Sequence, residues 1–137
     1  MALDFDSARL HNPYLTTEHE QWRDQLRKFI DAEISPYADQ WDEDGHIPDD
    51  LWPKAGAMGI LGLGYPEDVG GTSEGIDLWH LNILNEEMSH FGAGGVSSTL
   101  LVHCIGLPPV INFANPQLRS EIAPQVISGE KRISLAI

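Results

Sequence analysis

Val96-Ser97-Ser98-Thr99-Leu100-Leu101-Val102-His103-Cys104-Ile105-Gly106 is the stretch on which the fold turns. It is apolar or small at almost every position and carries no formal charge. A helix apolar on all sides is normally buried in the middle of a bundle, where no face meets water. The stretch therefore needs other helices around it. Gly92-Ala93-Gly94-Gly95 precedes it as a helix end, and Pro108-Pro109 should interrupt it before Val110 to Phe113 resumes as a short helix. Cys104 is the only cysteine, which excludes an internal disulfide, and its apolar neighbours suit a buried structural thiol. His103 reads as a hydrogen-bonded interior histidine rather than a catalyst.

Towards the N-terminus the pattern stays helical. Residues 1 to 15 read as an irregular lead-in with a turn at Asn12-Pro13. Thr17 and Glu20 have the spacing of a capping box. Trp22, Leu26, Phe29, Ile30 and Ile34 recur at helical spacing, with Arg23, Asp24, Arg27 and Lys28 on the opposite face. Pro36 ends that helix, and a shorter one to about Asp42 should bury Tyr37 and Trp41. Asp49 and Asp50 supply an acidic cap to a helix through Leu51, Trp52, Ala55 and Met58, stopped by Gly59. Residues 60–66 read as an apolar extended segment, and Gly70-Gly71 suggests positive-φ backbone in the loop that follows. Ile76 to Phe91 is expected to be a long helix.

Towards the C-terminus, Asn115-Pro116 caps a helix through Leu118 and Ile122 to Pro124. Ile133-Ser134-Leu135-Ala136-Ile137 reads as a strand, and a lone strand without a ladder partner is not stable. The expected fold class is all-α: an orthogonal-type bundle of about six or seven helices, ending in the start of a β-strand. Residues 1–132 form the helical domain and 133–137 begin a truncated β domain, so the chain reads as one part of a larger enzyme.

Composition narrows the function. Hydrophobic residues at 42% and charged residues at 21% are ordinary globular values, not those of a disordered chain. Asp and Glu number 21 against 8 Lys and Arg, a formal charge of -13 that repels nucleic acid and anionic headgroups. The same charge disfavours a polyphosphate site built from these residues alone. Acids within Met1 to Asp6 do not fit a signal or transit peptide, so a cytoplasmic, bacterial-type setting is expected. No apolar run is expected to reach the ~20 residues of a membrane span.

No complete chemical site assembles. Gly59, Gly62 and Gly64, like Gly92, Gly94 and Gly95, lack the G-x-G-x-x-G order and its strand–helix context. Glu87 and His90 have Glu-x-x-His spacing, but a di-iron bundle needs a second such motif and two further glutamates. Glu86, Glu87 and His90 therefore read as a solvated helix end, and no metal site is expected. No G-x-S-x-G elbow is present.

Three segments carry a resemblance. Residues 47–64, continuing as Tyr65-Pro66-Glu67-Asp68-Val69-Gly70-Gly71, resemble the N-terminal signature of acyl-CoA dehydrogenases. Glu86-Glu87-Met88-Ser89 looks like that family's next helix. Asn115-Pro116-Gln117-Leu118-Arg119 to Pro124, then Ser128-Gly129-Glu130-Lys131, is similar to its stretch before the flavin-binding strand. The resemblance implies a subunit of three parts, with a helical N-terminal domain, a middle β domain and a C-terminal helical domain. It implies the α,β-dehydrogenation of an acyl-CoA thioester, in which a glutamate takes the α proton and FAD takes the β hydride. This chain would be the first part, in an oxidoreductase of fatty acid metabolism, with FAD bound mainly elsewhere. It implies no catalytic residue here, because the base belongs to the C-terminal domain. It also implies a homotetramer and electron-transferring flavoprotein, or a similar acceptor, as partner. By position, Leu101, Val102 and Ile105 would line the acyl pocket, and Leu135, Ala136 and Ile137 would meet the flavin edge. The alternatives are a non-catalytic helical interaction module and a related flavin oxidase or monooxygenase.

Overall fold

The computed structural model describes residues 9–136, so the first part of the lead-in and Ile137 lie outside the described residues. Seven α-helices are present among them: α1 Thr17–Glu33, α2 Ala38–Asp44, α3 Leu51–Ala57, α4 Leu78–Glu87, α5 Gly94–Leu100, α6 His103–Phe113 and α7 Pro116–Ile127. A short 3-10 turn spans Glu67–Val69, and the pairing outside helices is an isolated bridge between Leu63 and Thr72. The all-α expectation holds. Of the strand expected at 133–137, residues 133–136 are not in strand conformation, with no ladder partner among the described residues, and Ile137 lies outside them. Residues 60–66 also differ from the extended reading: they fold as turns that bury Ile60, Leu61 and Leu63.

The chain divides into two compact units. The first takes the described residues up to Ile47 together with Asp77–Ser97. Its α1 buries one stripe, His19, Arg23, Leu26 and Ile30, at spacings that return every turn. The stripe is polar in its first turns and apolar beyond. It meets α4, whose buried residues are His80, Ile83, Leu84 and Glu87. His19 reaches Asp77, Trp22 donates to the His80 carbonyl, and Arg23 and Arg27 reach Glu87, so the two helices run in the same direction. The α1 start is shifted by one residue from the expected box. Thr16 caps the helix, with His19 at the third helical position returning the bond through Nδ1. Tyr37 is half exposed and stacks on a half-buried Trp41 at 5.6 Å, instead of joining the core.

The second unit takes Pro48–Ile76 and the residues from Ser98 on. Val69, Leu107, Ala123, Val126 and Ile127 form its buried cluster, which Tyr65, Val110, Ile111, Ile122 and Ile133 flank. The α7 start is held by Asn115, whose Oδ1 accepts from Leu118 N at 2.9 Å, followed by Pro116 at the first helical position. Asn115→Ala is expected to cost about 1 kcal/mol, read as a lower denaturant midpoint at unchanged slope.

The apolar stretch of α5 and α6 is the largest departure from sequence expectation. The break falls at Leu101 and Val102, and Pro108 and Pro109 lie inside α6. Each proline removes one helical hydrogen bond, leaving the carbonyls of Cys104 and Ile105 without their helical partners. Both residues are exposed, so water can satisfy those carbonyls. The stretch is thus not buried all round. The 20 residues Gly94–Phe113 are also long and apolar enough to cross a membrane by length and composition, which corrects the expectation that no run reaches that length.

Candidate functional site

The α5–α6 junction gathers the residues the sequence singled out. Leu101 and Val102 are half-buried in the turn, whereas Ile105, on the first turn of α6, is 60% exposed. Val102 lines a narrow crevice with Leu61, Leu100, His103, Val126 and Ile133. Lys131 and Arg132 stand at the same crevice, and the Arg132 guanidinium lies 3.9 Å from the Trp52 ring centroid. Gly106 lets the departing chain approach α6 closely, since a Cβ there would meet Ile133 at 3.2–3.3 Å. Beyond that contact Leu135 and Ala136 are both exposed and belong to no helix or strand. Ile137, the third residue expected at the flavin edge, lies outside the described residues.

Lys131 and Arg132 carry charge at the edge of the crevice, while burial disfavours the charged forms of His103, Tyr65 and Cys104 inside it. His103 is 5% exposed, and burial lowers its pKa against the opposing pull of the Leu100 and Leu61 carbonyls. It is thus an interior histidine bonded on one side of the ring, through Nε2, while its Nδ1 has no partner in hydrogen-bond geometry. Tyr65 stands 6.2 Å from the His103 ring, and burial pushes its hydroxyl up to about 12. Cys104 is exposed rather than buried, because α6 turns that face outward. Its thiol, 3.8 Å from His103 Nε2, is pushed up by desolvation and so stays protonated at neutral pH. Such a surface can receive an apolar group. It offers no thiolate and no charged acid–base pair.

Two polar constellations in the first unit lie beyond what the sequence reading foresees. Glu87 is 1% exposed, not a solvated helix end. Arg27 grips it through Nε and Nη2, both at 2.9 Å, and Arg23 Nη1 reaches it at 2.8 Å and Glu86 at 2.7 Å. Burial opposes the Glu87 charge, yet the bonds from Arg27 and Arg23 win and hold its pKa below the usual range. The second constellation joins His19, Asp77 and His80. His19 Nε2 and His80 Nδ1 each lie 3.0 Å from Asp77 Oδ1. Desolvation works against the Asp77 charge, but bonds from His19, His80 and two backbone amides bring its pKa down to about 2. The sequence does carry a signal for both. His19, Arg23 and Arg27 share the turn-by-turn spacing of Leu26 and Ile30, and Asp77-x-x-His80 has capping spacing.

Comparison with known proteins adds independent findings. The family model described as "Acyl-CoA dehydrogenase, N-terminal domain" matches residues 16–130. The long-chain specific acyl-CoA dehydrogenase of Rattus norvegicus mitochondria is 30% identical over 115 residues, covering 84% of this chain and 26% of that protein. A putative acyl-CoA dehydrogenase from Mycobacterium smegmatis superposes with a TM-score of 0.79 at 35% identity, over 88% of this chain and 31% of that one. An acyl-CoA dehydrogenase from Bacillus anthracis, solved in complex with FAD, gives 0.74 at 27% identity, over 89% of this chain and 21% of that one. The chain spans roughly a quarter to a third of the length of the curated relatives it matches.

Proposed function

We infer, from the premise that this chain belongs to the acyl-CoA dehydrogenase family as its N-terminal domain, that it serves an FAD-dependent α,β-dehydrogenation of an acyl-CoA thioester. The carrying observation is the apolar junction of half-buried Leu101 and Val102 with exposed Ile105, beside a crevice lined by Leu61, Leu100, Val126 and Ile133. An aliphatic tail placed there leaves water for an apolar surface, at about 25 cal/mol per Å² removed. A charged or phosphorylated group would gain nothing from Leu101, Val102 and Ile105 themselves. The CoA moiety would have to be held by other residues, consistent with the net charge of -13.

The residues present suit one edge of a flavin. Leu135 and Ala136 offer exposed apolar side chains on backbone outside any helix or ladder, so their amides and carbonyls are open to a planar ring system. Bound FAD would supply the hydride acceptor. This chain's contribution is to wall the acyl chain, keep water from it and position the segment at 133–136. That segment would lead into the flavin-binding β domain. The whole protein is proposed as a cytoplasmic homotetramer that passes electrons to electron-transferring flavoprotein or a similar acceptor, without binding nucleic acid.

The test is to express the reading frame that contains this chain and record its absorbance. Flavin bands and acyl-CoA-dependent reduction of a dye acceptor are expected. A colourless protein inert towards every acyl-CoA would overturn the reading. A substitution locates the wall. Ile105 is exposed enough for Ile105→Trp to fold, and kcat/KM for a long acyl chain should fall roughly tenfold or more while a short one is spared. An equal effect on both lengths would remove Ile105 from the pocket.

A further inference from the structure

We propose that His19, Asp77 and His80 form a binding site for one divalent transition-metal ion, with Zn2+ as the matching ion. The donor atoms, His19 Nε2, Asp77 Oδ1 and His80 Nδ1, all lie within 4.8 Å of one another. Two of the three separations are already 3.0 Å. A tetrahedral zinc ion with bonds of about 2.0–2.1 Å holds its ligand atoms roughly 3.3 Å apart. The two 3.0 Å separations need adjustments of a few tenths of an ångström, and the third, within 4.8 Å, closes by about 1.5 Å at most as the rings turn towards the ion. Two imidazoles and one carboxylate match zinc chemistry, and three protein ligands leave a fourth position for water. The opening lies on the Asp77 side, whose side chain is 52% exposed, while those of His19 and His80 are 4% and 9% exposed.

The site is built before any ion arrives. Asp77 is fixed as the α4 cap by the Trp79 amide at 2.9 Å and the His80 amide at 3.3 Å. The two imidazoles pack at 4.4 Å between ring centroids. His19 is held from behind by Thr16, whose amide donates to Nδ1 at 2.9 Å. That bond places the proton of a neutral His19 on Nε2, facing Asp77. An ion takes the place of this proton, and the ring proton moves to Nδ1. The Thr16 hydroxyl oxygen, 3.1 Å away, is there to accept it, and the amide of the exposed Thr16 turns to water. His80 binds through Nδ1, which accepts from the Asp77 amide at 3.2 Å without an ion and releases that amide to the water on the open Asp77 side, and it keeps its proton on Nε2. Both rings stay neutral, and such a partner behind a ligand fixes its orientation. The same residues act as helix caps without an ion, so the folded chain does not require one.

The capping role also makes the test clean. Asn caps a helix about as well as Asp, so Asp77→Asn keeps the helix start and removes the anionic ligand. His19→Gln retains a donor towards Asp77 and removes the imidazole. ZnCl2 would be titrated by calorimetry into the metal-free chain and into each variant, with melting curves of the metal-free proteins alongside. One saturable equivalent is expected, weakened roughly tenfold or more in Asp77→Asn, His19→Gln and His80→Gln at unchanged melting temperature. Co2+ in the same site should give the visible bands of a tetrahedral complex. Absence of saturable binding, or binding equal in the parent and the glutamine variants, would overturn the proposal. If Asp77→Asn melts early, the two glutamine variants still decide it.

Discussion

Glu87→Ala is expected to destabilise the chain by about 3–5 kcal/mol, because it strands buried guanidinium charge. Arg23 is 3% exposed, and its Nη1 is shared between Glu87 and Glu86. Arg27 makes its paired bonds to the same Glu87 carboxylate. Removing that carboxylate leaves Arg23 only the 54%-exposed Glu86 and the neighbouring Glu20, so much of the desolvation cost stays uncompensated. A chain of this size should melt roughly 10–20 °C lower. Glu87→Gln separates charge from shape: it fills the space and still accepts, so a comparable loss would show that the charge carries the effect. The pH dependence has a definite sign. The Glu87 pKa is lowered on folding, so its contribution is complete above the ordinary value of 4.5 and is lost as pH falls through the folded value. The gap between parent and variant should therefore narrow in acid. Thermal melts across that range check both size and direction, and a gap that widened in acid would refute the assignment.

Glu87 also shows where sequence reading succeeds and where it stops. Periodicity finds α1, α3, α4 and α7, because Leu26, Ile30, Ile83, Leu84, Val126 and the like must return to one face every turn. Periodicity is blind to charge that lies on the buried face with its partner sixty residues away. Arg23 is expected on the face opposite the apolar residues, yet it lies on the buried stripe with Leu26 and Ile30, and only the packing of α1 on α4 reveals its counter-charge. The cap at Thr16 lies one residue before the expected box because His19 replaces the Glu or Gln of the usual pattern. The prolines of α6 read as a break, yet a helix tolerates them where the freed carbonyls face water. The candidate pocket wall is legible only through the resemblance. Burial gives the physical form of that reading: Leu101 and Val102 half-covered and Ile105 open, with Lys131 and Arg132 at the crevice edge beside them. The expected strand is read from side chains alone, but a strand is a property of two segments, and residues 133–136 pair with none among the described residues.

Gly129→Ala should be the most damaging methyl in the second unit, at about 3–5 kcal/mol. Two costs add. Gly129 has φ +80°, where an L side chain costs roughly 1–2 kcal/mol. Its Cβ would also stand 2.2 Å from the Trp52 carbonyl oxygen, 2.3 Å from that carbonyl carbon and 2.6 Å from Pro53 N. These are backbone atoms in the first turn of α3, which no rotamer change can move aside. Relief requires α3 and the end of α7 to separate. Such a shift would also loosen the Arg132 guanidinium from the Trp52 ring and from Asp49. Gly59→Ala supplies the control. Gly59 has φ +89°, and an added methyl there would meet nothing within 4 Å, so it isolates the conformational cost. Urea midpoints of the two variants at equal slope give the difference directly. Gly129→Ala should lose clearly more than Gly59→Ala. If the two losses were equal, the close approach of residue 129 to α3 would not be present in solution. The path that carries the chain towards Leu135 and Ala136 would then have to be redrawn.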